Sequence, residues 1–198
     1  MPMESLLALA SFTFVASITP GPNNLMLAAS GIGFGLKRTV PHMLGVCAGF
    51  FVLVLACGLG IGALLMQTPG AATVLKLLGS GYLIYLAWLL RSSFTAESGP
   101  ARSRPMSFTA AAAFQFANPK AWLMGLTAAS AFLPALGGDW TALVLLCLVV
   151  CTVNFPCVTS WAVLGASIRS RLSDLRWQRR FSAVMVLLTL YAAGAIWM

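Results

Sequence analysis

From Leu6 to Leu36 the sequence would read as one apolar run but for Thr19-Pro20-Gly21-Pro22-Asn23-Asn24, and that stretch cannot continue as an ordinary helix. Pro20 and Pro22 withhold two backbone donors and push the residues before them out of the helical region, while Gly21 permits a sharp turn between them. In lipid, backbone released this way is tolerated only where protein encloses it or where it lines a cavity, so the break points to a site. A second break, Asn118-Pro119-Lys120, interrupts the fourth apolar run. The chain therefore reads as two halves, each opened by a broken helix, an arrangement typical of transporters.

The membrane reading rests on composition. With 60% hydrophobic and 8% charged residues among 198, and a mean hydropathy of +0.91, there is too little polar surface to coat a soluble globule. The net charge of +8 does not point to nucleic acid, because ten of the twelve Lys and Arg fall in three connections between apolar runs: Lys37-Arg38, Arg91 to Arg104, and Arg169 to Arg180. These connections are predicted to be cytoplasmic and both termini to lie outside the cytoplasm. The opening Met-Pro-Met-Glu lacks the positive start of a secretory leader, so the first run is expected to be retained. Five cysteines (Cys47, Cys57, Cys147, Cys151, Cys157) lie within apolar runs with no CxxC pair and no histidine at ligand spacing. They are expected to serve packing, and no metal or cofactor is predicted.

The predicted fold is an all-α integral membrane domain over 1–198 with six transmembrane helices. Segment one runs from Met3 to Thr19 and resumes from Pro22 to Gly31; the others span Pro41 to Met66, Ala71 to Leu90, Ser107 to Leu133, Trp140 to Ser167 and Phe181 to Trp197. Halves 1–91 and 107–198, joined by a polar linker at 92–106, have an odd number of spans each. They must enter the membrane from opposite sides, which predicts a 3+3 inverted repeat with helices one and four broken. Pro156 predicts a kink in the fifth segment. Gly45/Gly49 and Gly58/Gly62 are spaced for close helix approach, within the monomer or in a homodimer. Tyr82, Tyr85 and Trp88 share a face suited to a membrane-interface belt.

Lys120 is the cation set well inside an apolar segment, where a charge costs roughly 2.5–3.5 kcal/mol, and it needs a partner or a task. No Asp or Glu lies inside any segment, so the alternatives are snorkelling to the cytoplasmic surface or binding a substrate carboxylate. Asn118-Pro119 and Gly21-Pro22-Asn23 both read as helix starts offering free amides, and the half-helices ending before each break offer free carbonyls. One broken helix can thus hold both ends of a zwitterion. The candidate substrate-binding residues are Pro20, Gly21, Pro22, Asn23, Asn24, Gln115, Asn118, Pro119 and Lys120, with Asn154 and Trp161 on the fifth segment. Lys120, and His42 at the mouth of the second segment, are the candidates for proton coupling.

At Thr19-Pro20-Gly21-Pro22-Asn23, Gly45 through Gly49 and Asn118-Pro119-Lys120-Ala121 the sequence resembles the LysE/RhtB family of amino-acid exporters. Pro22-Asn23-Asn24, Leu44 to Phe50, Leu86-Ala87-Trp88 and Ser107 to Pro134 look closest to its cysteine/O-acetylserine exporter branch. The resemblance implies proton-driven export of a small amino acid across the inner membrane. Many members carry an acidic residue after the second-helix glycines, where this chain has Phe50, Phe51, Leu53 and Val54, so a neutral substrate is expected rather than lysine or arginine. The other classes are an intramembrane enzyme, for which no Ser-His-Asp or metal-ligand set can be assembled, and a channel or structural subunit, for which no ring of charge is visible.

Overall fold

The computed structural model describes residues 3–92, 104–168, 175–195 and 197. Residues 93–103 of the predicted linker, and Arg169, Arg171 and Asp174 of the last basic connection, lie outside these. All regular structure among the described residues is helical. Helix α1 (Met3–Ile18) meets α2 (Pro22–Phe34) at a 55° bend; α3 (Leu36–Gly58), α4 (Ile61–Gln67) and α5 (Ala71–Ser92) follow. Then come α6 (Phe108–Phe114), a 3-10 turn (Gln115–Ala117), α7 (Pro119–Thr127), a π turn (Ala128–Phe132), a 3-10 turn (Pro134–Leu136), α8 (Trp140–Ile168) and α9 (Leu175–Ala195).

Local chemistry accounts for the starts and stops. Ser107 Oγ caps α6 through the Ala110 amide at 3.2 Å, and Asp139 Oδ1 caps α8 through the Ala142 amide at 2.7 Å. Gly35, at φ 76°, turns the chain in a single residue between α2 and α3. Lys37 and Arg38 therefore stand in the first turn of α3, not in a separate basic connection, and α2 continues to Phe34 instead of ending at Gly31. The second apolar run does not extend to Met66 as one helix: α3 stops at Gly58, and α4 starts at Ile61. Arg176, Arg179 and Arg180 belong to the start of α9 rather than to a loop before Phe181. Helix α8 continues through Pro156.

Beside an apolar core, many large apolar side chains face outward while a set of polar ones is buried, a pattern unlike that of a soluble protein. Leu64 and Leu123 are 68% and 67% exposed, whereas Thr13, Ser17, Asn24, Gln115, Asn118 and Asn154 are buried. Tyr85 and Trp88 also face outward, with ring centroids 6.2 Å apart. By length and composition α3 and α8 can each cross a membrane, with mean hydropathies of 2.2 and 2.3, and the bent α1–α2 pair makes a third if it is one span. The protein is thus an all-helical membrane protein with α8 at its centre, packed on α1, α2 and α3, while α3 also packs on α6 and α7. Helices α5 and α9 pair to one side.

Glycines set the closest approaches. Gly45 and Gly49 leave no room for a Cβ against the backbone of Phe108 and Ala112, which brings α3 onto α6. Gly31 and Gly165 do the same reciprocally between α2 and α8, against Ala162 and Ala28.

Candidate functional site

The last turn of α1 should leave orphan carbonyls, since no helix continues through Pro20. Each carbonyl from Ser17 to Pro20 instead has a side-chain donor from elsewhere. Asn24 Nδ2 donates to Ser17 O at 2.7 Å and to Thr19 O at 2.8 Å, and Trp161 Nε1 donates to Ile18 O at 3.1 Å. The Lys120 ammonium donates to Thr19 O at 2.9 Å, Thr19 Oγ1 at 2.9 Å and Pro20 O at 3.3 Å. Asn154 Nδ2 joins the cluster through Ser17 Oγ at 2.9 Å. The positive end of Lys120 thus sits on the negative end of α1. Glu4 and Asp139, the acidic residues among those described, lie elsewhere, so neutral oxygens hold the charge.

Gly21 makes this geometry accessible. A Cβ there would come within 2.9 Å of Lys120 Cδ and 3.1 Å of Nζ, so the bare backbone is the floor over which the lysine stem passes.

The two breaks are tied a second time. Asn23 Nδ2 donates to Gln115 Oε1 at 2.8 Å and Gln115 Nε2 donates back to Asn23 Oδ1 at 3.1 Å, a reciprocal amide pair between α2 and the turn after α6. Gln115 is fully buried and also donates to Ala111 O at 2.9 Å. Asn23→Leu is expected to cost about 1–3 kcal/mol, because it strands a buried amide. Thermal unfolding should show a loss of about 2–4 °C per kcal/mol, partly recovered when Gln115→Leu is added. Equal losses that simply add would refute the pairing.

The helix starts differ from each other. At α7, Asn118 Oδ1 accepts from the Lys120 amide at 3.1 Å, and the Ala121 and Trp122 amides bond to Asn118 O, so this start has its first amides satisfied. At α2 the capping residue is Gly21, with no side-chain cap, and the amides of Asn23 and Asn24 have no acceptor among the described residues. The start offering free donors is therefore α2's and not α7's, contrary to the expectation of equivalence, because Asn118 spends its side chain on its own helix. Lys120 Nζ lies beside that open start.

A cavity collects these groups: Ser17, Gly21, Asn23, Asn24, Lys120 and Asn154 line its polar side, and Phe50, Met124 and Val158 its apolar side. Pro22 and Asn118 also border it, whereas Pro20, Gln115, Pro119 and Trp161 do not line it; Gln115 and Trp161 hold Asn23 and the end of α1 in place. The water-sized space is about 20 Å³, room for a water molecule, so a larger guest requires side chains to move. His42 is placed otherwise than expected: it is 2% exposed within α3, not at an open mouth, and does not line the cavity. Sequence reasoning passed over Ser17 and Thr19 as site residues, although small hydroxyl residues in the turn before a proline break are the signal that would find them. Phe50, Met124 and Val158 carry no local signal, being apolar residues in apolar helices.

Comparison with known proteins agrees with this architecture. The LysE type translocator family matches residues 14–196. Proteins named cysteine/O-acetylserine efflux protein from Escherichia coli O139:H28 (strain E24377A / ETEC) and Escherichia coli (strain K12) are each 32% identical over 195 residues, covering 96% of this chain and 96% of the relative. The protein of that name from Shigella sonnei (strain Ss046) matches at the same identity and coverage. No solved structure matches. The chain therefore belongs to the LysE translocator family, whose members are exporters and not enzymes.

Proposed function

We propose that the protein exports small neutral amino acids or their derivatives, of the cysteine/O-acetylserine, homoserine or threonine type, across the bacterial inner membrane, driven by the proton gradient. The observation that carries this reading is one cavity bordered by uncapped amides at the start of α2 and by Lys120, whose ammonium rests on the carbonyl end of α1. Amides and ammonium suit a carboxylate, carbonyls suit an ammonium, and together they suit a zwitterion. Phe50, Met124 and Val158 suit a short uncharged side chain, and the absence of a carboxylate among the lining residues disfavours a cationic one. The names of the relatives favour cysteine and O-acetylserine within this class.

Six spans in a 3+3 inverted repeat, with halves 1–91 and 107–198, are the arrangement we infer. Helix α3 lies on the broken segment α6–α7 as α8 lies on the broken segment α1–α2, which is the correspondence that exchanging the halves requires. Both termini then face the periplasm, and a reporter fused at Met198 should be active only outside while one at Gly99 is active only inside. A cytoplasmic signal at Met198 would overturn the repeat together with the orientation.

The activity is tested in proteoliposomes with labelled cysteine, O-acetylserine, threonine, homoserine and lysine. Flux of the neutral compounds that collapses with the pH gradient is expected. Equal flux of lysine, or flux indifferent to the gradient, would refute the reading.

A further inference from the structure

Thr19 O, Thr19 Oγ1 and Pro20 O converge on an ammonium that belongs to the protein itself. A helix C-terminus needs no lysine from another segment for its carbonyls, and neutral donors on Asn24 and Trp161 already serve Ser17 O, Ile18 O and Thr19 O. The Lys120 stem reaches them by crossing close over Gly21, where a Cβ would come within 2.9 Å of it, and the cavity opens directly beside its path. Its positive charge has no ion partner among the described residues, and the three oxygens are what hold it in place. These oxygens stand outside the cavity lining, next to the Lys120 side chain that forms part of it, and the four-carbon stem lets the ammonium swing from them toward the uncapped start of α2, which does line the cavity.

We propose that Thr19 O, Thr19 Oγ1 and Pro20 O are the seat of the substrate's α-ammonium, and that Lys120 fills this seat as a tethered cation until a zwitterion displaces it. The proposal rests on the transport reading above and adds to it the location of the ammonium and an exchange. The incoming ammonium takes the three oxygens; the released Lys120 turns to the carboxylate at the Asn23 and Asn24 amides. The net charge is then the same in both states, one cation on the α1 carbonyls in each, and the carboxylate arrives with its own countercharge.

The test uses the full chain in nanodiscs and monofunctional probes. In Lys120→Met the seat is empty, so methylammonium should protect saturably against thermal unfolding by about 4 °C, whereas the wild type, with its seat filled, gains nothing. Tetramethylammonium, which has no N–H, and sodium should protect neither. No methylammonium effect on folded Lys120→Met, or an equal effect of sodium or tetramethylammonium, overturns the proposal. Should Lys120→Met not fold, the wild type decides: O-acetylserine should protect it, and the α-N,N,N-trimethyl derivative, of equal charge but without donors, should protect at least about tenfold more weakly. Equal protection by the two, or none by either, overturns the proposal. Export of O-acetylserine by the wild type, measured alongside, separates the readings. Export without the probe effects sinks the seat alone, and the probe effects without export sink the transport function alone.

Discussion

Lys120→Met should reduce export by at least about 100-fold while leaving the protein folded, because it removes the one charge in the cavity and keeps the stem that packs over Gly21. The structural cost is small by comparison. Thr19 O keeps its bond from Asn24 and Pro20 O loses its donor, so a loss of about 1–2 kcal/mol in stability is expected. The share of O-acetylserine's protection against thermal unfolding that comes from its carboxylate should be lost in the variant, leaving no more than the ammonium seat alone gives. Lys120→Arg should fail as well: three bonds from a compact ammonium to two carbonyls and a hydroxyl are not reproduced by a planar fork. Export from proteoliposomes at matched reconstitution is the measurement. Near wild-type flux in Lys120→Met would assign the lysine to structure alone, as a cap on α1.

The largest effect on stability is expected from Gly165→Val. A Cβ at Gly165 runs into Ala28 O, with the Ala28 Cα only 3.0 Å away, and these are backbone atoms of α2 that no rotamer change can move aside. The helices must separate, and α2 and α8 share the most extensive contact in the molecule. A loss of about 3 kcal/mol or more follows, read as a fall of about 6–12 °C in the unfolding midpoint. Transport should suffer too, because Asn24 stands on α2 and Asn154 and Trp161 on α8, and all hold the end of α1. Gly81→Ala is the control: a Cβ there meets nothing within 4 Å, so it should be neutral or slightly stabilising through helix propensity. A wild-type midpoint for Gly165→Val would show that α2 and α8 do not pack this closely.

The sequence by itself determined that this chain is helical and belongs in a membrane, because 60% hydrophobic residues over 198 cannot be covered by the few polar ones. It also determined where ladder donors are missing, since Pro20, Pro22 and Pro119 have no amide wherever the chain places them. The resemblance to the exporter family was legible for the same reason, being carried by those local motifs. What it could not determine was who satisfies whom. Lys120, Asn24, Trp161 and Asn154 come from three different helices to the end of α1, and the sequence contains no measure of how those helices are set against each other. The two helix starts looked alike as Gly-Pro-Asn and Asn-Pro-Lys, yet one capping residue has a side chain to spend on its own amides and the other has none. Gly31 read as a helix terminator and is a contact point, because a missing Cβ signals a turn or a close approach equally well until the opposite backbone is known. His42 read as an edge residue beside Lys37 and Arg38, and α3 begins early enough to carry it inside. Local covalent chemistry is written in the order of residues, whereas burial, pairing and charge balance depend on distances between segments that packing alone sets.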